Sequence, residues 1–81
     1  MNIIDLYISN LRKEDIILFG EKNNIYLDEH ELVFTYNFIK NNYKEVLKNK
    51  DNFDFSKYKK EFSEENYFKI EKLIKKYISY L

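Results

Sequence analysis

The chain has 81 residues and carries 14 basic and 14 acidic side chains, one His and no Cys. A chain of this length forms one domain, residues 1–81, and without Cys it has neither a disulfide framework nor a thiolate metal site. The zero net charge predicts no overall attraction to nucleic acid or anionic lipid. The sequence has no signal-peptide pattern and no apolar run of about 20 residues, so we expect a cytoplasmic protein without a membrane role.

The first part of the chain predicts two helices. A short amphipathic helix is expected over residues 2–10 and a second helix over residues 13–22, because apolar side chains recur there at helical spacing. The lone glycine, Gly20, falls in the second helix, where it favours close helix packing over the approach of a ligand. Asn23 and Asn24 can adopt the left-handed conformation that ends such a helix.

The third predicted helix is the longest and covers residues 29–49. Asp28 is a good N-cap for it, and Glu31, three residues later, completes a variant of the capping box. Its apolar residues form one stripe along the helix, which predicts the face that packs on the core. The stripe consists of Leu32, Tyr36, Ile39, Tyr43, Val46 and Leu47.

Two more helices follow a polar loop. A short one is expected over residues 55–61, and Ser63 caps a last helix over residues 64–80. One side of this last helix is apolar from Tyr67 to Leu81. No stretch has the alternating pattern of a strand. The sequence therefore predicts an all-α bundle of four to five helices.

The stretch from Leu11 to Gly20 has an acidic helix start, two aliphatic residues and a small residue, and it continues through 24–28 into the next helix. Ser63 precedes the last helix, in which a second set of residues has a characteristic helical spacing: Lys69, Ile70, Leu73, Ile74 and Tyr77. In both stretches the chain resembles the YqfT-like family of small Firmicute proteins, which is known as a domain of unknown function. Arg12 stands where that family tends to have a Thr cap, and residues 53–62 have no clear counterpart. The resemblance implies a helical fold and carries over no catalytic residue.

The side chains offer little for catalysis or metal binding. His30 has acidic neighbours, but it is the only His, and metal ligands on a helix need i, i+3 or i+4 spacing with further ligands elsewhere. We expect an exposed His30 in the first turn of the third helix. Acidic pairs such as Glu64 and Glu65 lie at predicted helix starts, where they stabilise the helix dipole. We therefore expect no enzyme activity, no metal and no cofactor.

Lysines form two arcs on the predicted helices. Lys40, Lys44 and Lys48 lie opposite the core stripe of the third helix, and the last helix carries Lys69, Lys72, Lys75 and Lys76. Charge is also divided along the chain, with net −4 over residues 1–31 and net +3 over residues 32–50. These lysines could contact phosphates, although the acidic start of the third helix argues against base contacts. A solvated lysine face is the simpler interpretation.

Phe34 and Phe38 lie on the third helix far from the core stripe. They are either covered by the short helices or presented as an apolar patch to a partner. The 15 aromatic residues fit the codon usage of an AT-rich genome, such as that of a low-GC bacterium or its phage, so most of them are expected in the core.

Our leading interpretation is a small non-enzymatic helical module that binds another protein or forms a homodimer, with Phe34 and Phe38 as apolar contacts. The first alternative is a nucleic-acid-binding protein that uses the two lysine arcs. A further alternative is a phage-encoded inhibitor of a host protein. The sequence leaves the partner and the biological pathway open.

Overall fold

The computed structural model describes residues 2–79. These residues form four α-helices and two short 3₁₀ helices, and no strand. The α-helices are α1 (Ile3–Ser9), α2 (Lys13–Lys22), α3 (Glu29–Lys48) and α4 (Glu64–Ile78), and the 3₁₀ helices, Lys50–Asn52 and Phe55–Glu61, lie between α3 and α4. The predicted all-α bundle is confirmed.

The predicted helix boundaries agree closely with these ranges. α2 has the predicted bounds, and the ends of α1 and α3 differ from the predicted ones by one residue. The predicted helix at 55–61 is a 3₁₀ helix, which opens with the Asp54 carboxylate accepting a hydrogen bond from the Ser56 backbone N–H at 3.0 Å. The predicted end of the last helix at residue 80 and the apolar residue Leu81 lie outside the described residues.

The predicted caps of the two longer helices are present. The Asp28 carboxylate accepts from the Glu31 N–H at 2.8 Å, and the Glu31 carboxylate accepts from the Asp28 N–H at 2.9 Å, which completes the capping box. The Ser63 hydroxyl accepts from the Asn66 N–H at 3.1 Å at the start of α4. Asn24, after α2, has a positive φ of 60°, as expected of a residue that ends a helix.

α2 begins with only half a capping box. The Asp15 carboxylate accepts from the Arg12 backbone N–H at 2.9 Å. The Arg12 side chain makes no capping hydrogen bond in return, because a guanidinium group has no acceptor atom. The start of α2 is therefore held by Asp15 alone.

The apolar core is small. Leu11, Ile16 and Leu32 are buried together, and half-buried side chains of Leu27, Tyr36 and Ile39 pack against them. The predicted stripe on α3 does face the bundle, since Leu32 is buried and the other five members are half-buried. No large side chain among the described residues is completely buried. The bundle therefore leaves much apolar surface in contact with water.

Gly20 permits the close approach of the chain that follows α2. A Cβ atom at this position would lie 2.7 Å from the backbone carbonyl oxygen of Ile25, and the Ile25 N–H donates to the Gly20 carbonyl at 2.8 Å. Gly20 therefore permits a close backbone approach, but of the link after α2 rather than of another helix as predicted.

A buried carboxylate joins α3 to α4. The Glu31 side chain is only 3% exposed, and besides capping α3 it accepts from the Ser63 N–H at 2.7 Å and from the Asn66 side-chain amide at 2.9 Å. The Asn66 amide also donates to the Tyr26 carbonyl at 3.0 Å. One charged group thus fixes the starts of two helices and the link before α3.

Candidate functional site

Phe34 and Phe38 are half-buried in a cluster of aromatic rings. The Phe38 ring lies edge-on to Tyr58 with 4.8 Å between ring centroids, and the Phe34 ring lies edge-on to Phe62 at 5.6 Å. Phe53 lies 6.0 Å from Phe38 and 6.4 Å from Tyr58. The segment between α3 and α4 supplies these covering rings. Phe34 and Phe38 therefore do not form a free apolar face, and their role as partner contacts stays a prediction.

The three lysines of the predicted arc on α3 differ in their surroundings. The Lys40 ammonium donates to the carbonyl oxygens of Ile8 at 2.6 Å and Ser9 at 3.1 Å. The last carbonyls of α1 lack helical partners and carry the negative end of its dipole, so they attract a cation. Lys40 is therefore engaged in holding α1, whereas Lys44 and Lys48 are exposed.

The lysines of α4 divide in a similar way. The Lys69 ammonium donates to the Asn24 carbonyl at 2.8 Å, near the end of α2. The Lys72 ammonium lies 4.5 Å from the centre of the Phe68 ring. Lys72, Lys75 and Lys76 are exposed. The cationic surface of α4 thus consists of three lysines next to an exposed aromatic ring.

His30 is exposed, as predicted, and its Nε2 lies 2.8 Å from a carboxylate oxygen of Glu61. This contact connects the first turn of α3 to the end of the second 3₁₀ helix, and the spacing of 31 residues hides it from sequence reasoning. Within residues 2–79, no group of three or more His, Cys, Asp or Glu side chains is placed to hold a metal ion.

A groove between α1 and α2 is a feature that the sequence did not indicate. Its volume is about 580 Å³. Three apolar side chains on its α1 wall are strongly exposed, namely Ile3 (82%), Leu6 (52%) and Tyr7 (66%). The groove is lined by Ile3, Leu6, Tyr7, Asn10, Leu11 and Asp15.

Polar contacts hold α1 in place. The Tyr43 hydroxyl of α3 donates to the Asp5 carboxylate, which lowers the pKa of Asp5 and raises the pKa of Tyr43. Together with Lys40 at the helix end, this contact attaches the polar side of α1 to α3. The sequence predicted a short amphipathic helix here but not which of its faces packs on the bundle. In the structure Ile3 and Tyr7 of this helix are exposed.

No helix in the described part of the chain is long and apolar enough to cross a membrane. No protein-family model, curated protein or solved structure matches the chain. The resemblance to YqfT-like proteins therefore stays a prediction, and function has to be argued from the surface itself.

Proposed function

We propose that the protein is a small non-enzymatic helical module that binds another protein through the groove between α1 and α2. The observation that supports this proposal is the outward orientation of the apolar side of α1. Ile3, Leu6 and Tyr7 follow i, i+3, i+4 spacing and form one stripe on the exposed side of the helix.

Burial of this stripe by a partner is energetically favourable. Transfer of a large apolar side chain from water to a packed interface contributes about 1.5–3 kcal/mol. α1 has seven residues, fewer than the roughly 12–15 that a helix needs to be stable alone. Its polar anchors on α3 present the stripe in a fixed conformation, and a partner that binds there loses less conformational entropy.

The charge around the groove indicates the chemistry of the partner. Residues 1–31 carry net −4, and the Asp15 carboxylate lies in the groove wall. A segment with apolar side chains and flanking basic residues fits this surface, because it fills the groove and complements the charge.

The test is affinity capture from a lysate of the source organism, with a matched pair of variants. Leu6→Asp with Tyr7→Asp places charge in the groove. Tyr26→Asp is the control, because the Tyr26 side chain is as exposed as Tyr7, at 66%, but lies outside the groove. Circular dichroism of all three chains checks that the helices remain.

We expect a protein that is retained by the wild type and by Tyr26→Asp after nuclease treatment, and that the groove variant does not retain. Chemical cross-linking should place the bound segment against α1. Equal capture by the groove variant, or no specific protein with any chain, would contradict the proposal. Capture that disappears with nuclease would instead favour the alternative of nucleic acid binding by the exposed lysines.

A further inference from the structure

We infer that α1 is an arm that docks on α3 and undocks while the rest of the bundle stays folded, and that Lys40 and Tyr43 set this docking equilibrium. The groove between α1 and α2 exists only while α1 is docked, so the equilibrium also regulates binding there. In this last respect the regulation rests on the proposed function, whereas the docking equilibrium itself does not.

α1 is attached to the bundle with little burial of apolar surface. None of its seven residues is buried, and only Asp5 and Ile8 are half-buried. The other three α-helices each contribute a buried apolar residue, namely Ile16, Leu32 and Tyr67. Segments with few buried apolar contacts open at the lowest free energy. α1 is therefore the α-helix that separates first from the bundle.

Polar contacts from one face of α3 hold the arm at both of its ends. The Tyr43 hydroxyl donates to the Asp5 carboxylate, and the Lys40 ammonium donates to the carbonyl oxygens of Ile8 at 2.6 Å and Ser9 at 3.1 Å. Each contact includes a charged group, and such hydrogen bonds contribute more to stability than neutral ones. No other hydrogen bond joins α1 to α3 among residues 2–79. Docking thus depends on two side chains of α3.

An undocked α1 loses its helical structure, and the core does not. Seven residues are fewer than the roughly 12–15 that a helix needs to be stable alone. The core cluster of Leu11, Ile16 and Leu32, with the side chains packed on it, includes no residue of α1. Undocking therefore exposes the backbone amides of α1 to water and leaves α2, α3 and α4 in place, so amide hydrogen exchange reports the docking equilibrium.

This equilibrium controls the groove because α1 supplies its exposed apolar wall, Ile3, Leu6 and Tyr7. The affinity for a partner that binds only the docked state is reduced by the fraction of chains in that state. Lys40 and Tyr43 do not line the groove. They act on it as positioning residues, through the placement of α1.

The test variant is Lys40→Glu with Tyr43→Phe. The glutamate places a negative charge beside the carbonyl end of α1, where the helix dipole is also negative, and the phenylalanine keeps the ring but removes the donor to Asp5. Lys48→Glu with Tyr58→Phe is the control, because it makes the same two chemical changes at an exposed lysine and a half-buried tyrosine that do not bond to α1. Lys40→Arg keeps a cation next to the same carbonyls.

The readout is amide hydrogen exchange of the purified full chain, followed by NMR in the absence of any partner. In the wild type, we expect α1 amides to exchange faster than amides in the middle of α4, such as those of Ile70 and Leu73. The test variant should increase the open fraction of α1 by about tenfold or more, while the amides of α4 stay protected. The control and Lys40→Arg should keep the wild-type protection of α1.

Four results would overturn the inference. In the wild type, α1 could exchange only as slowly as α4, which would mean that α1 opens only with the whole chain. The test variant could leave the exchange of α1 unchanged, or it could lose the protection of α4 as well. The control or Lys40→Arg could expose α1 as much as the test variant does, which would remove the special role of Lys40 and Tyr43.

The same variants separate the docking equilibrium from the proposed function. A partner captured by the groove should bind the test variant more weakly than the control, in proportion to the lost docked fraction. If capture finds no partner, the proposed function fails, but the exchange experiment still decides whether α1 docks and undocks as inferred.

Discussion

Glu31 is the residue that connects most segments of this small fold. Its carboxylate is 3% exposed and accepts hydrogen bonds from the Asp28 and Ser63 backbones and from the Asn66 side chain. The sequence indicates the local contact, since Asp28 and Glu31 have the spacing of a capping box. The contacts to Ser63 and Asn66 span 32 and 35 residues, and no local pattern in the sequence carries information on them.

Glu31→Ala should destabilise the protein by on the order of 3 kcal/mol, because it leaves the buried Asn66 amide and the part-buried Ser63 N–H without this acceptor. Urea unfolding followed by circular dichroism measures this loss. Glu29→Ala is the matched control, since Glu29 is also acidic and in the first turn of α3 but is exposed. Its loss should be much smaller and limited to the interaction with the helix dipole. Equal losses for the two variants would show that Glu31 acts only through its position near the helix end.

At the scale of whole elements, the sequence predicted the helices well and their orientation less well. Caps and apolar spacing are local, so α2, α3 and the start of α4 were predicted correctly. The outward stripe of α1 was missed because spacing shows that a helix is amphipathic but not which face a neighbour takes. Here Tyr43 and Lys40 of α3 bind the polar side of α1, and these contacts decide the orientation.

The 3₁₀ helix Phe55–Glu61 is an element whose main role is to cover α3. Tyr58 is its central residue, since the Tyr58 ring lies within 4.8 Å of the Phe38 centroid and 5.8 Å of the Phe34 centroid. The sequence alone did not decide whether Phe34 and Phe38 are covered by the short helices or exposed. The choice depends on where a segment without regular α-helix packs, and helical periodicity does not determine that.

Tyr58→Ala should therefore lower the free energy of unfolding by about 3 kcal/mol and uncover the Phe34 and Phe38 rings. Increased binding of a hydrophobic dye at temperatures below unfolding would report the uncovered rings, and urea unfolding would report the loss of stability. Tyr58→Phe keeps the ring and should change both readouts little. A Tyr58→Ala chain with unchanged dye binding would show that the two phenylalanines are covered by something other than this 3₁₀ helix.

At the scale of the whole molecule, composition and structure indicate that a single copy of the chain is only marginally stable. A chain of 81 residues buries a smaller fraction of its surface than a larger domain does, and among the residues whose burial is described only Leu11, Ile16, Ile25, Leu32 and Tyr67 are buried apolar residues. Large apolar side chains remain exposed on α1, α2 and α4. The zero net charge hides an acidic first part of the chain next to basic faces on α3 and α4. The sequence shows this division of charge, but only the fold places the Lys69 ammonium of α4 2.8 Å from the Asn24 carbonyl just after α2.

A monomer with so small a core should gain measurable stability from association, since any partner that binds only the folded chain shifts the unfolding equilibrium. For a homodimer, a tenfold increase in protein concentration contributes about 1.4 kcal/mol per dimer, or about half of that per chain, which corresponds to a rise in Tm of about 3–5 °C for a domain of this size. Differential scanning calorimetry over a hundredfold range of concentration measures the rise. A chain that stays monomeric should instead unfold at one temperature throughout that range. A wild-type Tm independent of concentration, together with a monomer in the ultracentrifuge, would mean that the small core alone accounts for the stability of the chain.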